Sequence, residues 1–391
     1  LMKLINTEEG LIDVVKKGLS AGAVAMDTEF VWEKTYYPIL GLIQVGYPDG
    51  SVDLIDGVSI NDFSALGQLL SDVNTVKILH DAVQDLVILT RVSKAFPKNI
   101  FDTQRAAGFV GLSSSISLSE LLKKVLSIRI EKSETKSDWV ARPLSDSQIE
   151  YAREDVCYGV DLMKAILKKA DALDYKKWVL QEMLMYENEA LYKEKDPMLI
   201  SPKVKNSGSI NFKQKTLLRS ICIWREASAR KQNLPRTFVL PDEILMRLVK
   251  SPPKSIDALN KMNLGKRFLR KFNTSLWEAI HRGMHEELAP LENEFSNFEK
   301  EDALEAQVDL ALAFIKGLSL NTKIDAGLIA NRAKVTSFVY ANSQNEAILQ
   351  GHSLSQTWRN EFCGQNLSKL LKGEGVIRVD AKNKIPSYAD Q

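Results

Sequence analysis

The pattern of apolar and polar residues predicts an α/β N-terminal domain, a mixed sheet with flanking helices, followed by two small all-α domains. Three observations carry this. Strand-like and helix-like segments alternate through the first half of the chain. A break rich in proline, glycine and serine follows, Asp196-Pro197 and then Ser201 to Ser209 with Pro202 and Gly208. Beyond it apolar residues recur only at helical spacing, and the sign of the charge changes.

Taken in order, Thr7 is placed to cap a helix running to about Leu19, with Leu11, Ile12, Val15 and Leu19 on its apolar face. Ala23 to Glu29 reads as a strand, then Ile39 to Tyr47 and Ser51 to Ile55, with Pro48-Asp49-Gly50 turning the last two into a hairpin. A helix over Asp62 to Leu70 leads to a fourth strand, Val76 to Leu79. Asp81 to Val92 is helical, with Asp81 suited to cap it, and a short strand ends near Phe101-Asp102. Helices are predicted over residues 103–109, 117–126 and 145–190. Past the break, helices start near Phe212, Pro241, Ser255 and Gly265. Residues 286–299 form an acidic connector, and 300–385 repeat a helical layout. Ile324 to Ile329 is faintly similar to Leu240 to Leu245, which suggests duplication. The domains are expected at 1–195, 210–286 and 300–385.

The chain has 391 residues, 45% hydrophobic and 26% charged, which suits a soluble globular protein and excludes disorder as the main theme. A membrane protein is excluded too, because the most apolar helical stretch, Ala303 to Leu320, carries Glu305, Asp309 and Lys316. The first residues lack the basic start and apolar run of a secretory signal. Cys157, Cys222 and Cys363 are odd in number and far apart, so neither a disulfide framework nor a cysteine zinc site is expected. A reducing, cytoplasmic setting and a monomer follow as expectations.

The net charge of +2 hides an asymmetry. Residues 201–285 hold 18 Lys and Arg against 5 Asp and Glu, a net +13, while the flanking segments are acidic. So concentrated a charge calls for a polyanionic partner. The candidate phosphate contacts are Lys213, Lys215, Arg219, Arg225, Arg230, Lys231 and Arg236, then Lys266, Arg267, Arg270 and Lys271. Lys213, Lys215 and Arg219 do not share one helix face, and a charge run also serves as a solvated surface.

Asp27 and Glu29 stand two apart on a strand, so both carboxylates leave the same face, at the strand end where open sheets place their sites. Asp85 follows the strand Val76 to Leu79 and falls in the first turn of a helix, pointing back over the sheet edge. Tyr151 and Asp155 are four apart on one helix and share a face. Singly, each has a bland reading as a solvated strand end, a helix cap or a surface pair. Together, four like charges in one pocket demand a cation. All-oxygen ligands suit Mg²⁺ or Mn²⁺, and two such ions roughly 3.5–4 Å apart can drive phosphodiester hydrolysis. Several neighbours stay open: Asp102 as a hydrogen-bonded structural group, Phe30 as a stacking or a core residue, Trp139 and Arg142 as lid, clamp or scaffold. Cys157 reads as buried packing, and His281 with His285 as a frayed helix end.

Asp27-Thr28-Glu29-Phe30, the run His80 to Leu86, and Tyr151 to Val156 resemble the three exonuclease motifs of the DEDD superfamily, Tyr151 marking the tyrosine-bearing subclass. Ser137 to Ser145, Phe101 to Gln104 and Leu42-Ile43-Gln44 are similar to ribonuclease D sequences, and Trp224 to Asp242 is similar to an HRDC domain. The final helices look like a second, diverged one. His80 replaces the Asn that many DEDD enzymes carry there, as it does in the ribonuclease D branch. The resemblance implies a ribonuclease H-like sheet. It further implies that Asp27, Glu29, Asp85 and Asp155 are ligands of two divalent ions, and that Tyr151 orients the attacking water. The activity implied is a hydrolytic 3′–5′ exoribonuclease that releases nucleoside 5′-monophosphates from structured RNAs such as tRNA precursors. Two other readings are a DNA 3′–5′ exonuclease and a silent RNA-binding scaffold, the second opposed by the complete set of four carboxylates and tyrosine.

Overall fold

The computed structural model describes residues 4–130, 134, 137–194, 196–205, 207, 210–285, 302–344 and 346–390; the acidic connector expected at 286–299 lies outside them. Six strands form the first sheet: β1 (Leu4–Ile5), β2 (Ala23–Val31), β3 (Ile39–Gly46), β4 (Val52–Asp56), β5 (Val76–Leu79) and β6 (Ile100–Asp102). Their order is β1-β4-β3-β2-β5-β6. Strands β3 and β4 are antiparallel, whereas β2, β5 and β6 run parallel to their neighbours in that half and β1 pairs parallel with β4. The sheet is therefore mixed, as expected. Strand β2 sits inside it, and Val24, Ala25 and Met26 are buried.

Helices pack around this sheet. The Thr7 side chain caps α1 (Glu8–Ala21), accepting from Gly10 N–H, and Leu11, Val14 and Val15 are buried. The helix expected from Asp62 is shorter, α2 (Leu66–Ser71). It is followed by α3 (Val83–Ser93), α4 (Thr103–Ala107) and α5 (Leu118–Leu126). The long helix expected over 145–190 is three: α6 (Asp146–Cys157), α7 (Gly159–Ala172) and α8 (Lys176–Met183), then one turn of 3₁₀ helix at Leu184–Glu187. Asp174 lies at φ 61 between α7 and α8, a left-handed turn that no continuous helix tolerates.

Two compact units result. One takes residues up to Phe30, Leu40–Tyr192 and those from Asp302 on; the other takes Val31–Ile39 and the segment from Lys193 to His285. In the second unit α9 (Phe212–Gln232), α10 (Arg236–Val239), α11 (Asp242–Lys250), α12 (Ile256–Lys261) and α13 (Lys266–His285) surround a core of Leu217, Ile221, Trp224, Leu245, Leu248 and Ile280. Asn211 and Gln214 form a reciprocal capping box at the start of α9.

The C-terminal segment was expected to stand apart, but it packs within the first unit. Its helices are α14 (Asp302–Thr322), α15 (Ala326–Ile329), α16 (Arg332–Gln344), α17 (Glu346–Gly351), α18 (Thr357–Arg359) and α19 (Gln365–Leu371). A two-stranded antiparallel sheet, β7 (Gly375–Val379) with β8 (Pro386–Asp390), follows where only helix was expected. The lengths of α14 and α15, 21 and 4 residues, repeat those of α9 and α10. Among the described residues no helix is long and apolar enough to cross a membrane, and all three cysteines are free.

Candidate active site

Strand β2 delivers Asp27 and Glu29 on one face, and α6 brings Asp155 to them. One carboxylate oxygen from each of the three lies within 4.8 Å of the other two. Two glycines make that approach possible. A Cβ on Gly46 of β3 would meet the Val156 carbonyl at 2.5 Å, and one on Gly159 would meet Ala25 Cβ at 2.5 Å, so the α6–α7 junction sits directly on the sheet. Ser145 caps α6 in a reciprocal box with Gln148.

Asp85 stands in the first turn of α3, as expected, but outside the close triad. Its Oδ1 accepts a 2.5 Å hydrogen bond from Thr28 Oγ1. The expected cap at Asp81 is replaced by another device. Asp81 lies at φ 60, and the Asp102 carboxylate accepts from the backbone N–H of Asp81 at 3.3 Å and of Ala82 at 3.0 Å. Asp102 also caps α4 through Gln104 and Arg105 N–H and accepts from Tyr186 Oη at 2.5 Å. Its role is to fix the turn before Asp85.

A cavity of about 190 Å³ is lined by Asp27, His80, Thr103, Tyr151 and Asp155 together with apolar residues of β2 and β5. The His80 ring bridges this wall: Nε2 donates to the Ile116 carbonyl at 3.0 Å, and Nδ1 lies 2.9 Å from Thr103 Oγ1. The Tyr151 ring packs against buried Trp139, centroids 6.0 Å apart.

The electrostatics are those of an anion cluster. Burial pushes Asp27 well above the usual carboxylate range, and the charges of Asp85, Asp155 and Glu29 add to it. Glu29 is pushed up to about 8 by burial, then by Asp155 and Asp85. Burial raises Asp85 to about 7, although the Thr28 hydrogen bond works against the rise. A hard divalent cation relieves this repulsion, and an all-carboxylate donor set fits one.

Other expected contacts are placed differently. Arg142 is tied to Asp56 and to the carbonyls of Gly41 and Trp139, so it clamps the loop before α6 to the sheet instead of facing substrate. Arg219 and Arg225 are buried, and Arg225 pairs with Asp242 at 2.6 Å; neither is a phosphate contact, because α9 is enclosed by its own domain at both positions. Arg230 and Arg236 both grip buried Glu226, beside the Tyr36 hydroxyl. Lys213, Lys231, Lys266, Arg267, Arg270 and Lys271 are exposed, Lys215 half-exposed. Phe30 is half-buried at the end of β2.

Residues 2–171 match the family model of the 3′–5′ exonuclease domain, and 214–280 match that of the HRDC domain. The chain is 35% identical to ribonuclease D of Desulfotalea psychrophila over 92% of its own length and 96% of that protein. The chain belongs to the ribonuclease D family. Ribonuclease D of Escherichia coli is 27% identical over 95% of this chain and 98% of that one. Its crystal structure, described as that of an exoribonuclease involved in structured RNA processing, superposes with a TM-score of 0.82 over 95% of this chain and 99% of that one. With its 3′–5′ exonuclease domain and these ribonuclease D relatives, the chain is a 3′–5′ exoribonuclease.

Proposed function

We propose that the chain hydrolyses the 3′-terminal phosphodiester of RNA with two divalent cations, Mg²⁺ or Mn²⁺, held by Asp27, Glu29, Asp85 and Asp155. The products are nucleoside 5′-monophosphates, and the substrates are tRNA precursors and other small structured RNAs. One observation carries the reading: three carboxylates from β2 and α6 meet within 4.8 Å beside a cavity that also holds Tyr151. When bound, such ions supply a water of lowered pKa and neutralise charge on the departing oxygen. The protein's own groups do the rest. Tyr151, one turn from Asp155, orients the attacking water. The terminal nucleotide binds beside the carboxylates, and Phe30, half-buried at the end of β2, stacks on its base. Residues 210–286 form an RNA-binding domain, whose contacts to phosphates are Lys213, Lys215, Lys231, Lys266, Arg267, Arg270 and Lys271. The involvement of the Escherichia coli relative in structured RNA processing supports the substrate class. A cytoplasmic monomer is part of the same reading.

The test is digestion of a 5′-end-labelled tRNA bearing a 3′ trailer. Stepwise shortening with release of 5′-monophosphates, abolished by EDTA and restored by Mg²⁺ or Mn²⁺, is expected. Internal cleavage, or undiminished turnover by Asp155→Asn, overturns the proposal.

A further inference from the structure

We infer that Arg359 and Trp358, near the C-terminus, are positioning residues for the active-site turn at His80–Ala82, acting through Glu182 and Arg105. The inference rests on the metal-dependent reading above. Its physical basis is a buried charge node joining the C-terminal segment to the wall of the cavity.

Glu182 lies near the end of α8 and is 4% exposed. Its carboxylate accepts from Arg105 Nε at 2.5 Å, from Arg359 Nη1 at 2.6 Å and Nη2 at 2.8 Å, and from Trp358 Nε1 at 2.7 Å. Arg359 is itself buried and spends further donors on the carbonyls of Leu328 and Ile329, at 2.8 and 3.1 Å. The Trp358 ring, fully buried, packs edge-on against Phe109 with centroids 4.9 Å apart. Docking alone does not call for such a node, because replacing a buried ion triad by apolar side chains often leaves stability unchanged or raised. What the node adds is a fixed location for Arg105.

Arg105 belongs to α4, a helix of five residues. So short a helix has no stability of its own and goes where its contacts put it. Its N-terminus carries the active-site turn, through Asp102, the last residue of β6 and the N-cap of α4, and through Thr103. Asp102 holds the backbone N–H groups of Asp81 and Ala82, and Thr103 bonds the Leu79 carbonyl and approaches His80 Nδ1. The turn gains from being held, because Asp81 at φ 60 lies in the left-handed region, uncommon for a residue other than glycine although easier for Asp than for most. Three residues after Ala82 the same chain presents Asp85. Arg359 therefore sets Glu182, Glu182 sets Arg105, and α4 keeps the turn in place and Asp85 aimed at the metal site. The Tyr186–Asp102 hydrogen bond, from the turn just after α8, braces the same point.

The experiment compares full-length wild type, Arg359→Gln and Phe338→Leu by Mn²⁺ titration, with free Mn²⁺ read by electron paramagnetic resonance. It also compares steady-state cleavage of a short RNA. Phe338 is buried in the C-terminal segment and has no hydrogen bond to Glu182, so its variant lowers stability without touching the node. Arg359→Gln is expected to weaken Mn²⁺ binding about tenfold, the usual scale for losing a group that orients a metal ligand. It should lower kcat by about tenfold or more with KM within about twofold, as misplacement by a fraction of an ångström does. Phe338→Leu should lower Tm and leave both readouts near wild type. Unchanged Mn²⁺ affinity and kcat in Arg359→Gln, or equal losses in Phe338→Leu, overturn the inference. Should Arg359→Gln not fold, Trp358→Phe keeps an aromatic side chain while removing the Nε1 donor and some buried volume; a smaller loss of Mn²⁺ affinity and kcat in the same direction, absent from the cavity-forming Phe338→Leu, supports the inference, and none refutes it. If wild type binds Mn²⁺ but releases no nucleotide, the exonuclease reading fails while the Mn²⁺ arm still decides this one.

Discussion

Thr28 Oγ1 donates a 2.5 Å hydrogen bond to Asp85 Oδ1, tying the strand that carries Asp27 and Glu29 to the helix that carries Asp85. Both residues are buried, so the bond works without competition from water. Thr28→Val keeps the shape and deletes the donor. Above pH 7, where Asp85 is ionised, we expect a stability loss of about 1.5–3 kcal/mol, the range for a hydrogen bond to a charged group. Without the hydroxyl that holds Asp85 down, its carboxyl rises further above about 7. The Mn²⁺ concentration for half-maximal activity should therefore rise at pH 7 more than at pH 8.5. Equal midpoints for Thr28→Val and wild type at both pH values would separate Thr28 from metal binding.

The raised carboxylates make a stability prediction with a definite sign. Glu29 moves from the ordinary glutamate range to about 8, and Asp85 to about 7, so the folded metal-free protein holds protons that the unfolded chain releases. Their contribution is complete below the unfolded pKa values and is lost as pH rises through 7 and 8. Thermal melts in EDTA should show the wild-type Tm falling relative to Glu29→Gln between pH 5 and pH 8.5. Adding Mg²⁺ should raise the wild-type Tm, and more at pH 8.5 than at pH 5. A Tm difference between the two proteins that does not change with pH in EDTA contradicts the assignment.

On α13, Lys266, Arg267, Arg270 and Lys271 are exposed on the side opposite Leu276, Ala279 and Ile280. Changing all four to Ala should leave the helical core intact and weaken RNA binding. The slope of log affinity against log salt should fall by about 0.7 for each phosphate of a single strand that is no longer neutralised. Binding isotherms at several salt concentrations test this. Arg225→Ala should do something different: it abandons Asp242 and the Leu240 carbonyl inside the domain and should lower Tm with the salt slope unchanged.

The carboxylates were readable because their spacing states their geometry. Two residues apart on a strand, as with Asp27 and Glu29, or four apart on a helix, as with Tyr151 and Asp155, put side chains on one face whatever the fold does elsewhere. The sheet was readable for the same reason, from alternation and from the Pro48-Asp49-Gly50 turn. Long-range pairing leaves no such trace. Nothing in the local sequence says that Arg142 belongs to Asp56, that Glu226 gathers Arg230 and Arg236, or that Glu182 awaits Arg359, 177 positions on. A basic residue reads the same whether it meets a phosphate or a buried carboxylate. The helix break at Asp174 was hidden because its left-handed turn carries no glycine or proline. Thr28 was visible only as the spacer between two acids, and its bond to Asp85 is a tertiary fact.

Tyr151 offers the sharpest test of the chemistry, since its ring and its hydroxyl have separable roles. The ring packs against Trp139, buried between α6 and the sheet, with centroids 6.0 Å apart and planes tilted by 42°. Phenylalanine preserves that packing, so Tyr151→Phe should fold and melt like wild type. The hydroxyl belongs to a side chain lining the same cavity as Asp27 and Asp155. One helical turn separates Tyr151 from Asp155, a rise of about 6 Å, so phenol and carboxylate can flank a single water. In the proposed mechanism that hydroxyl orients the water by a hydrogen bond. Loss of one such group should lower kcat by roughly 10²–10⁴ with KM near wild type. Single-turnover hydrolysis of a short RNA at saturating metal measures it directly. A rate within about threefold of wild type, under ~1 kcal/mol of barrier, would assign Tyr151 to the packing of α6 alone.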